Sequence, residues 1–244
     1  MNPTGGPDAP GRELPPWLRP LAAAARSVRP EEFSRFLPPD EGGRASAVLI
    51  LLGEGAAGPD LLLIERATTM RSHAGQPAFP GGGTDPADTD AVDTALREAT
   101  EEVGLDRTAT QVITTLPALW LPPSGYVVVP VLSWWHRPHA VYVADPTEVA
   151  AVRRVPIAEL ADPAARVRVR HPSGWIGPAF QVGDMLVWGF TAGLVDRLLA
   201  LGGWERPWDA SRVRELDPET IALAARTRTP TDAVASVQVQ PPVP

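Results

Sequence analysis

The stretch DTDAVDTALREATEEVGL, Asp88–Leu105, constrains this chain most, because it is the clearest helical period in a sequence whose other apolar runs are mostly strand-like. At about 100° per residue, Val92, Leu96, Ala99 and Val103 share one face, while Glu98, Glu101 and Glu102 gather on another. One face packs and the other presents carboxylates. A helix of that kind needs an apolar layer beneath it, and the flanking sequence supplies one. ASAVLILL (Ala45–Leu52) and DLLLIER (Asp60–Arg66) lie either side of the turn signal GEGAAGPD and predict a hairpin. VITTL (Val112–Leu116), YVVVPVLSWW (Tyr126–Trp135), VYVA (Val141–Ala144), VRVRH and AFQVG read as further strands, and EVAAVRRVPIAEL as a strand followed by a short helix begun at Pro156. Trp17–Ser27 is predicted as a short helix, and Asp184–Gly203 as a closing helix stopped by its glycines. This order predicts an α/β/α sandwich around a mixed β-sheet. RSHAGQPAFPGGG (Arg71–Gly83) is too rich in glycine and proline for helix or strand and is predicted to be a loop.

Composition sets the outer limits. With 244 residues and 44% hydrophobic content, the chain can bury a sizeable core. A formal net charge of −7 argues against a sequence-independent nucleic-acid partner, but leaves small polyanions open where local cations offset it. Zero cysteines exclude a disulfide framework and a thiolate zinc site. Met1–Gly11 lacks the basic start and apolar stretch of a secretion signal, and the longest apolar segment, Met185–Leu201, is broken by Asp196 and Arg197. The expectation is a soluble cytoplasmic protein with no membrane partner. Clustered prolines mark a flexible lead with a short helix over residues 1–40, a folded domain over 41–228 and a disordered tail over 229–244.

The EATEE segment carries the chemistry. A solvated acidic patch is the common explanation of a short charge run. Here, however, like charges three and four residues apart weaken an isolated helix by about a few tenths of a kcal/mol per pair, and only Arg97 is near in sequence to offset them. Carboxylate oxygens suit hard divalent cations such as Mg²⁺ or Mn²⁺, which also bind phosphate oxygens. The glycines just upstream let backbone approach a ligand closely.

These residues resemble the Nudix box of pyrophosphohydrolases, G-x5-E-x7-R-E-U-x-E-E-x-G-U with U apolar. Arg97, Glu98, Ala99, Glu101, Glu102, Gly104 and Leu105 satisfy its second half in register. In the first half the glutamate position falls on Thr89, and the acid stands one residue earlier, at Asp88. That expansion is similar to the coenzyme A pyrophosphatase branch, whose upstream signature is L-L-T-x-R-[SA]-x3-R-x3-G-x3-F-P-G-G. Leu62, Leu63, Arg66, Ala67, Arg71, Gly75, Phe79, Pro80, Gly81 and Gly82 match it, with Ile64 in place of the threonine.

The resemblance implies metal-assisted cleavage of the pyrophosphate of coenzyme A or its derivatives. Glu98 and Glu102, helped by Glu101 and the Gly82 carbonyl, would hold Mg²⁺ or Mn²⁺. Arg97 would orient Glu98 through a bidentate pair, and the general base would be either a box glutamate or an acid on a later loop, for which Glu148 is the candidate, although a capping or surface acid explains Glu148 equally well. Arg66 and Arg71 would offset phosphate charge, with Gly75, Phe79 and Gly81 shaping the site. Plain core packing explains Phe79 equally well, and His73 is not assigned as a base. Three readings stay open: another nucleoside diphosphate derivative such as ADP-ribose as substrate, a noncatalytic nucleotide-sensing domain, and a homodimer as the assembled state.

Overall fold

The computed structural model describes residues 12–33, 37–39, 42–70, 74–121 and 124–224. Two short helices, α1 (Arg19–Ala25) and α2 (Pro30–Phe33), precede the hairpin β1 (Arg44–Gly55) and β2 (Gly58–Arg66). Then come β3 (Pro77–Ala78), β4 (Gly81–Gly83) and the long helix α3 (Ala91–Val103). Strands β5 (Thr110–Thr115), β6 (Leu119–Leu121), β7 (Tyr126–Trp135) and β8 (Val149–Pro156) follow, and then the single turn α4 (Ile157–Leu160). The chain continues through β9 (Arg166–Arg170), β10 (Ile176–Val182), β11 (Met185–Val187), α5 (Gly189–Leu201), β12 (Val213–Glu215) and α6 (Pro218–Ala224).

The main sheet is mixed. β1 runs parallel to β7 from Arg44↔Tyr126 to Leu52↔Trp134, and β2 runs antiparallel to β8. Both faces of β1 are covered, which is why it reads as an unbroken apolar run rather than an alternating one. Ile50 and Leu52 pack with α1 and α5 through Leu18, Leu21, Leu194 and Leu198, whereas Ala47, Leu49 and Leu51 pack under α3 through Ala95, Ala99 and Val103. This is the expected α/β/α sandwich. A second sheet, ordered β11-β10-β9-β12, adds a small core of Val167, Val169, Ala179 and Leu216. No described helix is long and apolar enough to cross a membrane.

One irregularity of the main sheet positions the site. β1 and β2 pair only near their turn, from Gly55↔Gly58 to Leu52↔Leu61, and then splay apart. Residues 77–83 wedge into the gap: Ala78 pairs with Ile64 of β2, Gly82 pairs with Ala47 of β1, and the Leu49 N–H donates to the Pro80 carbonyl at 2.8 Å. The segment expected to be all loop therefore forms two sheet pairings, because the splayed hairpin leaves backbone groups that only another extended segment can satisfy.

Two other expectations are corrected. Val141–Ala144 is not a strand; the Tyr142 and Ala144 N–H groups donate to the Val103 and Glu102 carbonyls at 3.2 and 3.0 Å, satisfying the open end of α3. The closing helix begins only at Gly189, since Met185–Val187 pairs with β10 and Gly189 sits at φ +65°. β12 and α6 escaped the sequence reading because β12 is exposed throughout and carries no burial period. In the expected flexible lead, α1 contributes the buried Leu21, next to buried Leu18. The tail over 229–244 lies outside the described residues, as do Arg71 and His73.

Candidate functional site

α3 is set in place by local chemistry. The Asp90 carboxylate caps its start by accepting from the Asp93 N–H at 2.8 Å, and Gly104 ends it at φ +67°, where a side chain would be strained. Small residues, Ala95 and Ala99, let the helix lie close on β1. Glu98 and Glu102, one turn apart, then face the wedge rather than solvent.

That approach requires glycine. A Cβ on Gly81 would stand 2.3 Å from the Ala47 carbonyl oxygen, and one on Gly82 would stand 2.4 Å from Glu98 Oε1. The Gly81 N–H donates to Glu102 Oε2 at 2.9 Å, and Glu102 is 2% exposed. Its Oε1 is buried without a hydrogen-bond partner. Burial pushes the Glu102 carboxyl up to about 8, opposed by the Gly81 N–H and the positive charge of Arg66, and helped by the charges of Glu98 and Glu148. Burial also raises Glu98, against the pull of Arg97 and with the push of Glu101 and Glu148. The structure thus brings Glu98, Glu102, Glu148 and Arg66 into one electrostatic neighbourhood. Arg66 Nε is itself buried without a partner, and the Glu148 carbonyl accepts from the Ala67 N–H at 2.8 Å, tying the two segments together beside the carboxylates.

Arg97 departs from its expected role. Its bidentate partner is Asp88, with Nε–Oδ1 and Nη2–Oδ2 both at 2.9 Å, whereas Glu98 receives one bond from Nη1 at 3.0 Å. Asp88 also accepts from the Asp85 N–H and the Thr94 hydroxyl, and the Arg97 hydrogen bonds hold its carboxyl far below the usual range. Asp88 is a clamp on Arg97, with its oxygens committed to hydrogen bonds. The sequence showed this acid displaced from the box position without showing what it holds. Asp88→Asn is expected to release Arg97, lower the melting temperature and reduce kcat by about ten- to a hundredfold, the range for groups that orient ligands from behind; an unchanged kcat would leave Asp88 with stability alone.

The expected trio of glutamates does not converge. Glu101 is 58% exposed and held outward by Arg97 at 3.1 Å; one residue before Glu102, it stands about 100° round the helix from it. Among the described residues, no three acidic or histidine side chains come close enough to cage an ion alone. Mg²⁺ does not need such a cage; it commonly takes one or two carboxylates and completes its shell with water and phosphate oxygens. The unpaired buried oxygen of Glu102, beside Glu98 and against glycine backbone, fits that demand. Phe79 is 2% exposed within the main core, so packing explains it and ligand contact does not. Gly75, at φ +68°, closes the loop neck through its N–H to the Arg66 carbonyl at 3.0 Å. An open pocket of about 480 Å³, lined by His139, Val141, Val152 and Arg154, contains none of the expected site residues.

The NUDIX domain profile matches residues 43–174, from just before β1 to just past β9. The chain therefore belongs to the Nudix hydrolase family. It is 41% identical over 159 residues to a protein of Cronobacter sakazakii named as an uncharacterized Nudix hydrolase, NudL, covering 61% of this chain and 78% of that one. The like-named protein of Citrobacter koseri is 38% identical over 175 residues, covering 67% and 85%. The crystal structure of RenU, a Nudix hydrolase from M. Smegmatis, aligns with a TM-score of 0.48 at 18% identity over 69% of this chain and 91% of that one. Nudix hydrolases act on small nucleotide substrates and generally use divalent ions such as Mg²⁺ or Mn²⁺.

Proposed function

We propose that this Nudix hydrolase cleaves the pyrophosphate of coenzyme A or its derivatives, yielding adenosine 3′,5′-bisphosphate and 4′-phosphopantetheine or its acyl form. The observation that carries the hydrolytic reading is the buried Glu102 carboxylate with one oxygen bonded to Gly81 and the other unpaired, facing the same space as Glu98. The coenzyme A reading is supported by the signature running from Leu62 to Gly82, which includes Arg66 and Arg71.

Glu98 and Glu102 would hold Mg²⁺ or Mn²⁺, together with the Gly82 carbonyl. When bound, the ion offsets pyrophosphate charge and makes water more acidic. Glu148, whose charge already bears on both glutamates, accepts the proton of the attacking water. Arg66 directs its guanidinium toward the phosphates, and Arg97, clamped by Asp88, fixes the rotamer of Glu98. Attack at phosphorus then expels one phosphate ester as the leaving group.

The 3′-phosphate separates coenzyme A from most nucleoside diphosphates. Arginine binds such a dianion through paired hydrogen bonds, so Arg71→Ala should lower kcat/KM for coenzyme A more than for its 3′-dephospho form. Equal losses would assign Arg71 to the pyrophosphate or to the loop.

A further inference from the structure

The neck of the loop between β2 and β3 is closed by its own backbone. The Arg66 N–H donates to the Gln76 carbonyl and the Gly75 N–H donates to the Arg66 carbonyl, both at 3.0 Å. The neck carries Arg66, and the Ala67 N–H joins it to Glu148. What lies against it comes from the far end of the chain. A Cβ built on Gly75 would stand 2.3 Å from Leu223 Cδ2 and 3.8 Å from Thr68 Cγ2, so the α6 leucine fills the hollow that this glycine leaves. Gly75 is needed twice over: for φ +68°, and to admit Leu223.

α6 is anchored at its start. Asp217 caps it, accepting from the Thr220 N–H at 2.7 Å and from its hydroxyl at 2.5 Å. Ile221 packs on the Val167, Val169, Ala179 and Leu216 cluster, and the Leu216 N–H donates to the Arg170 carbonyl at 3.0 Å. The second sheet, through β12, therefore supports a helix whose tip presses on the neck of the loop.

We propose that α6 is a prop for the neck of this loop and that Leu223 is a positioning residue, holding the neck closed so that Arg66 stands ready beside Glu102. The kinetic part of this inference rests on the loop binding substrate, as proposed above; the structural part does not. A preorganised neck lowers the ordering cost when substrate arrives. The neck carries Arg66, assigned above to the phosphates, so loss of Leu223 acts on substrate affinity rather than on the chemical step.

Leu223→Ala in the full chain tests this with two readouts. Hydrogen exchange at the Arg66 and Gly75 amides, measured without substrate, should quicken by about tenfold or more as the neck opens. KM for coenzyme A should rise about three- to tenfold with kcat within about twofold, and Leu223→Met, which keeps the volume, should restore both. Gly75→Ala approaches the same contact from the other side: its damage should be partly relieved when combined with Leu223→Ala, because the clash disappears and only the backbone strain remains. Unchanged exchange at both amides, or strictly additive effects in the pair, would overturn the prop. Faster exchange with an unchanged KM would uphold the prop and overturn the loop's role in binding coenzyme A.

Discussion

Glu102→Gln is expected to lower kcat by roughly a hundredfold or more, the scale of removing one group that stabilises developing charge, while leaving the metal-free protein at least as stable as the parent. The reason is that the buried carboxyl is pushed up to about 8 from 4.5. A carboxyl raised in the folded state favours folding while protonated; that contribution is complete below 4.5 and is lost as pH rises through about 8. In chelator, the parent's melting temperature should therefore fall relative to the variant's between those values, the amide having no proton to lose. Thermal melts across a pH series check this directly. If the variant unfolds while its folded fraction keeps full activity, Glu102 is structural and the site lies elsewhere.

Removing divalent ions is the second large effect. EDTA should take turnover to background, and added Mg²⁺ or Mn²⁺ should restore it. Because the ion binds the folded chain, it should also stabilise the parent, by about 2.7 kcal/mol at a hundredfold excess over Kd. Glu102→Gln should lose most of that gain. Hydrolysis undiminished in chelator would remove the metal from the mechanism.

How much of this was legible beforehand depended on the range of the interactions. α3 could be read because its signals are local: the Asp90 cap, the spacing of Val92, Leu96, Ala99 and Val103, and the Gly104 stop. The burial of Glu102 could not be. On a helical wheel it groups with Glu98 and Glu101, and what separates them is the wedge at Gly81–Gly83, delivered by the splay of β1 from β2. Asp88 was visible as a displaced acid, but its pairing with Arg97 spans nine positions and depends on the turn before α3. Phe79 sat in a glycine-rich motif that suggested ligand contact, yet the sheet pairing on either side of it turns the ring inward. The contact of Leu223 with Gly75 joins segments 148 residues apart, and no local pattern announces it.

The central claim is metal-dependent cleavage of the coenzyme A pyrophosphate, and product mass is its most direct test. Purified protein with Mg²⁺ or Mn²⁺, given coenzyme A, its 3′-dephospho form and ADP-ribose in competition, should convert coenzyme A fastest and release adenosine 3′,5′-bisphosphate and 4′-phosphopantetheine, with neither product formed in chelator or by Glu102→Gln. Efficient hydrolysis of ADP-ribose with negligible turnover of coenzyme A and its thioesters would contradict it.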